Sequence, residues 1–162
     1  MSAAKPTSVL FVCLGNICRS PTSEVLFTAL AAREGLLESL HIDSCGTSDW
    51  HIGSSPDSRA TAAAAERGYE IHHLRGRQVD RSDFDRFDYI LAMDEDNLSE
   101  LETLRPGHYS GHLGLFLEFA ADTALTNVPD PYYNGEEGFV QVLDLVESAS
   151  AGLLQRIAGG QS

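Results

Sequence analysis

The residues Val9-Leu10-Phe11-Val12-Cys13-Leu14-Gly15-Asn16-Ile17-Cys18-Arg19-Ser20-Pro21 decide how the rest of the chain is read. Val9 to Val12 is a short apolar run of β-branched and aromatic side chains, the pattern of a strand buried on both faces of a parallel sheet. It passes directly into Cys13 and then Gly15 and Asn16, residue types that tolerate the positive φ of a tight loop. Ser20 fits the N-cap of a helix and Pro21 its first helical position. The stretch is predicted to run strand, small loop, helix.

That order has chemical consequences. Successive backbone N–H groups of a compact loop ending at a helix N-terminus form a concave nest for a tetrahedral oxyanion. A cysteine at its mouth sits in a positive field, which lowers a thiol pKa from about 8.5 into a range of roughly 3.5–7.5. Arg19 follows Cys13 at a spacing that lets its planar fork hold two oxygens of one phosphate. Ser20 is positioned to donate a hydrogen bond to the thiolate. Together these residues describe a cysteine built to attack phosphorus.

Other chemistries fit the loop less well. A nucleotide-binding loop of the G-x-x-x-x-G-K-[ST] type needs a second glycine and a lysine, both missing here. A dithiol redox site needs C-x-x-C, whereas Cys13 and Cys18 lie further apart. Zinc would require more Cys or His at short spacing. No metal or other cofactor is implied. Two buried structural cysteines remain the bland alternative.

Composition narrows the class. The 162 residues suit one domain with a substantial core, and 43% hydrophobic with 22% charged residues is a globular balance. Residues 1–7 read as a flexible tail and 8–159 as a single domain. No apolar run approaches the roughly 18 residues of a membrane span, so membrane insertion is not expected. Three cysteines argue against a disulfide scaffold and for a reducing, cytoplasmic setting. A net charge of −13 disfavours nucleic acid as a partner, because phosphate neutralisation needs a basic face. The charge is uneven: residues 1–93 carry nine basic and twelve acidic side chains, residues 94–162 two basic and twelve acidic. The loop therefore lies in the more neutral part, where an anionic substrate meets less repulsion.

Beyond the loop, Pro21 to about Arg33 is predicted as a helix ended by Gly35, and Leu40 to Cys45 as a strand. Asp57 to Arg67 is a further helix, stopped by Gly68. Phe87 to Met93 reads as a parallel strand leading into a helix from Asp94. Leu113 to Phe119 gives a fourth strand, and apolar spacing from Phe139 to Ile157 marks a long terminal helix. The expected fold is α/β: one four-stranded parallel sheet with helices on both faces and the phosphate loop at the C-terminal end of the first strand.

Two side chains outside the loop stay ambiguous on local sequence alone. Trp50, the only tryptophan, lies in the polar loop Gly46–Pro56 and is read as easily on a binding face as in a core. Asp130 lies between Pro129 and Pro131, which stiffen the backbone and fit either an aimed carboxylate or an ordinary turn.

Val12-Cys13-Leu14-Gly15-Asn16-Ile17-Cys18-Arg19-Ser20-Pro21 resembles the phosphate loop of the low-molecular-weight protein tyrosine phosphatases. The resemblance extends through Asp43-Ser44, Asp88 to Asp94 and Asp130-Pro131-Tyr132-Tyr133. It implies a protein-tyrosine-phosphatase with Cys13 as nucleophile, Arg19 as phosphate ligand and Asp130 as general acid and base. It implies that Leu14, Gly15, Asn16, Ile17, Cys18 and Ser20 surround the phosphate, and that Trp50 and Tyr132 wall the pocket. A phosphotyrosine-containing protein would be the substrate, and inorganic phosphate or another oxyanion would occupy the same site. By the same resemblance one histidine, with His73 matching better than His72, hydrogen-bonds to Ser44 and through it braces Asn16. Asp94 is expected to brace the loop or cap its helix. Cys18 could merely fill space beneath the loop; the resemblance implies a reversible redox partner for Cys13.

Rival functions stay open on sequence, and turnover of an aryl phosphate would separate the last two below. An arsenate reductase on this scaffold needs further cysteines near residues 75–95, where this chain has none. In a protein-arginine phosphatase a threonine stands at the Ile17 position. A phosphotyrosine-binding module without turnover would not need Cys13, Arg19 and Asp130 together.

Overall fold

The computed structural model of the protein describes residues 6–131 and 135–159. Residues 1–5 of the expected tail, and Tyr132, lie outside the described residues. The elements in chain order are β1 (Thr7–Cys13), α1 (Arg19–Arg33), β2 (Leu40–Gly46), α2 (Ser58–Glu66), β3 (Tyr89–Ala92), α3 (Glu95–Leu104), β4 (His112–Leu115) and α4 (Gly135–Gly159). The four strands form one parallel sheet in the order β2-β1-β3-β4.

β1 is central because its side chains demand it. Val9, Leu10, Phe11 and Val12 are all fully buried. Alternation sends Val9 and Phe11 to the face covered by α1 and α4, and Leu10 and Val12 to the face packed with Phe84, Ile90, Leu101 and Tyr109. Phe11 meets Phe27 and Phe116 edge-on, with ring centroids 5.7 and 4.9 Å apart. Such pairs contribute about 0.5–1.5 kcal/mol beyond their buried area.

The sheet order also fixes where a ligand goes. From β1 the chain first crosses to β2 on one side and then to β3 on the other, so the direction of winding reverses at β1. A crevice opens beyond the carboxyl ends of the strands at such a reversal, and Cys13 is the last residue of β1.

Among the boundaries that differ from the sequence reading, two change the role of particular residues. The fourth strand ends at Leu115, and Phe116–Phe119 turns as a 3₁₀ helix. Phe116 and Leu117 both pack into the same face of the core, which adjacent strand residues cannot do. α1 begins at Arg19, with Cys18 at the N-cap position and no side chain capping it. Ser20 is therefore inside the first turn and not a cap. Pro21 is still tolerated, because N–H groups there have no intrahelical acceptor.

Candidate active site

The loop between β1 and α1 curls around the Cys13 sulfur. Asn16 makes the curl possible: it is the only non-glycine among the described residues with positive φ, at 56°. Its N–H donates to Cys13 Sγ at 3.2 Å. Its side chain is fully used as well, Nδ2 donating to Ser20 Oγ (2.8 Å) and Ser44 Oγ (3.2 Å) and Oδ1 accepting from the Arg77 N–H (3.0 Å). Four polar contacts thus hold one strained residue in place, which offsets the cost of its left-handed backbone. Gly46 at the end of β2 lets the loop sit this close, since a Cβ there would stand 2.7 Å from the Leu14 carbonyl oxygen.

Ser20 Oγ lies 3.0 Å from Cys13 Sγ and 3.3 Å from the Cys45 carbonyl oxygen. Its single proton serves one of these acceptors at a time. The uncapped first turn of α1 leaves backbone N–H groups at the same place, the arrangement that binds anions.

Arg19 is only 5% exposed. Its Nη1 donates to Asp94 Oδ2 at 2.7 Å and to the Val128 carbonyl at 3.0 Å. Burial works against its charge, but the Cys13 sulfur and the Asp94 carboxylate outweigh that and raise its pKa. Asp94 meets both expectations at once, since its other oxygen caps α3 by accepting from the Asn97 N–H at 2.8 Å.

Asp130 arrives from the far end of the sequence by a short tether. Two residues earlier, the Val128 N–H donates to Met93 O at 2.7 Å while its carbonyl accepts from Arg19. Pro131 is buried on the other side. The exposed Asp130 carboxylate is thereby held at the rim of a cavity of about 430 Å³ that Cys13, Arg19 and Trp50 also line. Leu14, Gly15, Ile17 and Cys18 complete the loop side of this cavity. Asn16 and Ser20 stand behind the wall, where their side chains support it. Trp50 is 70% exposed and Leu14 40%, which gives the mouth an apolar edge.

Cys18 is a free thiol, as are Cys13 and Cys45. Burial, with smaller contributions from Cys13 and Asp57, pushes its pKa up. Among the described residues no group of three or more His, Cys, Asp or Glu side chains converges to hold a metal ion.

The histidine brace is not present. His72 and His73 are exposed and pack edge-on against each other at 5.8 Å. Buried Ile71 anchors a turn in which the Leu74 N–H reaches Ile71 O, and the two histidines ride on its outside. The Ser44 hydroxyl donates instead to Glu24 Oε1 at 2.6 Å. Sequence reading missed Glu24 because a lone carboxylate on a helix carries no local signal. It also missed His51, Asp57 and Phe139, which line the cavity. Asp57 could be read only as a helix cap, which it is: its carboxylate accepts from the Arg59 and Ala60 N–H groups.

Glu24 is a pH-sensitive support. Burial is the main cause raising its pKa to about 7; the Ser44 hydrogen bond opposes the shift and Asp43 adds to it. A carboxyl whose pKa is raised on folding contributes stability that is complete below its unfolded value near 4.5 and is lost as pH rises through about 7. Glu24→Gln is therefore expected to flatten the fall in Tm between pH 5 and 8, as read by calorimetry. An unchanged pH profile would place the titration elsewhere.

The model of the low molecular weight phosphotyrosine protein phosphatase family matches residues 8–161. A Bacillus subtilis low molecular weight protein-tyrosine-phosphatase, YfkJ, is 41% identical over 150 residues, covering 93% of this chain and 95% of the relative. A protein tyrosine phosphatase from Entamoeba histolytica, solved with Hepes in the active site, superposes with a TM-score of 0.92 at 40% identity, covering 96% of this chain and 99% of its own. The Drosophila arginine phosphatase also superposes, with a TM-score of 0.85 at 30% identity over 92% of this chain and 96% of its own. With the family model spanning nearly the whole chain, this protein belongs to the low molecular weight phosphotyrosine protein phosphatases.

Proposed function

We propose that the chain hydrolyses phosphotyrosine and other aryl phosphates through a cysteinyl-phosphate intermediate. Cys13 Sγ attacks phosphorus in line with the leaving oxygen, forming the S–P bond as the P–O bond breaks. The loop N–H groups and Arg19 hold the non-bridging oxygens while charge on them builds. Asp130 gives its proton to the departing phenolate, whose conjugate acid has a pKa of about 10. Asp130 then takes a proton from the water that attacks phosphorus. The S–P bond breaks, Ser20 hydrogen-bonds to the departing sulfur, and inorganic phosphate is released.

The observation that carries this reading is that Cys13, Arg19 and Asp130 line one cavity although they come from β1, α1 and a loop more than a hundred residues on. The apolar edge of Leu14, Trp50 and Ile17 favours an aromatic ester over a phosphoguanidine. The test is a comparison of p-nitrophenyl phosphate, phosphotyrosine and phosphoarginine turnover in the presence of a chelator. Turnover of the two aryl esters is expected, with competitive inhibition by vanadate. Faster turnover of phosphoarginine, or a requirement for a divalent ion, would overturn the reading.

The same site supports reversible oxidation. Peroxide converts an accessible thiolate to a sulfenic acid, and a neighbouring thiol condenses with it to a disulfide, releasing water. Cys18, in the same loop, is the neighbour proposed for Cys13. Peroxide-treated parent is expected to recover activity in dithiothreitol and Cys18→Ser is not; equal recovery would remove Cys18 from this role.

A further inference from the structure

Proton donation requires the Asp130 carboxylate to stand over the cavity, yet the chain that leads to it has little packing to hold it there. From Glu118 to Asn127 no residue is buried. Hydrogen bonds act where packing is missing, and they converge on the turn from β3 into α3. Asn127 Oδ1 accepts from the Glu95 N–H at 3.0 Å. The Thr126 hydroxyl donates to Glu95 Oε2 at 3.4 Å. On the other side of Asn127, the Val128 N–H donates to Met93 O at 2.7 Å. We propose that Asn127 is a positioning residue for the general acid: its bond to the start of α3 sets where Asp130 stands relative to Cys13 and Arg19.

The Glu95 N–H is open to Asn127 for a simple reason. Glu95 is the first residue of α3, and the first N–H groups of a helix have no acceptor inside it. The Asp94 carboxylate serves Asn97 with one oxygen and Arg19 with the other. Asn127 therefore supplies a second cap from 32 positions further along the chain. Arg19 and the acid loop are thereby fixed to consecutive residues, Asp94 and Glu95, at one helix end.

The link from Asn127 to Asp130 is stiff. Pro129 has a locked φ and restricts Val128 before it, and Pro131 restricts Asp130 in the same way. An arm with so few soft torsions transmits a shift at its base to its tip. A cleft of about 270 Å³ beside it, lined by Arg19, Glu95, Asn127 and Pro129 among others, leaves room for such a shift. Displacing a reacting group by about 1 Å costs up to roughly 10²-fold in rate.

The inference rests on the phosphatase reading above, and the experiment separates the two. Phenyl phosphate is compared with a dinitrophenyl phosphate, whose phenol leaves without protonation. The proteins are the parent, Asn127→Ala, Asn127→Asp, Asp130→Ala and the double variant Asn127→Ala, Asp130→Ala. Asn127→Ala is expected to lose about tenfold in kcat on phenyl phosphate, with KM within about twofold, and to stay near the parent on the dinitrophenyl ester. Asn127 is exposed, and the ratio of two substrates on one protein does not depend on how much of it is folded. A general loss of stability would therefore not mimic this result. Asn127→Asp, whose carboxylate still accepts the Glu95 N–H, should recover most of the loss. In the double variant, removing Asn127 should add nothing to the loss from Asp130→Ala. Equal losses on both esters, an Ala variant that matches the parent, an Asp variant as slow as the Ala variant, or losses that multiply in the double variant would each overturn the proposal alone. If Asp130→Ala itself showed no leaving-group dependence, the assignment of Asp130 as the acid would fall and the positioning role with it.

Discussion

Cys13→Ser is expected to lose turnover of p-nitrophenyl phosphate by on the order of 10⁵-fold or more, the scale on which removing a covalent nucleophile acts in a site that works as a unit. The variant should retain its fold and its affinity for phosphate. Cys13 is 3% exposed at the end of β1, and serine differs there by one atom. Its hydroxyl can still accept from the Asn16 N–H, so the curl of the loop survives. Arg19 keeps its bonds to Asp94 and Val128, so the anion-holding wall survives too. Steady-state kinetics should thus show kcat collapsing, while calorimetry shows vanadate or phosphate binding within a few-fold of the parent. A variant that keeps a tenth of the parental kcat would mean that the sulfur is not the attacking atom.

The second large effect belongs to Asp130→Ala. Turnover of phenyl phosphate is expected to fall by roughly 10²–10⁴-fold, the usual worth of a positioned general acid. The size of the loss should depend on the leaving group. An ester whose phenol has a low pKa departs without protonation, so the variant should approach the parent as that pKa falls. Asp130 is exposed, so an unfolding artefact is not the expected cause of a loss. The measurement is a plot of log kcat/KM against leaving-group pKa for both proteins. Parallel lines would assign the loss to something other than proton donation.

Much of this arrangement was legible in the sequence because the local signals agreed. The unbroken apolar run Val9 to Val12 has the pattern of a buried parallel strand, and its junction with Gly15, Asn16 and a helix start located the anion nest. The alternation of strands and helices gave the sheet and both covered faces. What failed to show were features that depend on tertiary approach. Ser20 carries the residue type of a helix cap, but the helix begins one residue earlier and its hydroxyl turns to Cys13 and Cys45. The run Leu113 to Phe119 has the composition of one strand, yet Phe116 and Leu117 must enter the same face of the core, and the strand stops short. Glu24 replaced a histidine as the partner of Ser44 because the chain around His72 and His73 turns outward. Nothing near Glu24 in sequence announces that contact.

The central claim is that phosphate passes through the Cys13 sulfur. The most direct test is to mix the parent with an aryl phosphate whose phenol leaves readily, quench in acid within one turnover, and map the phosphate by tandem mass spectrometry. The mechanism requires phosphate attached to Cys13 in a fraction of the molecules that matches the burst of released phenol. Phosphate on another residue, or a full burst with Cys13 unmodified, would contradict it.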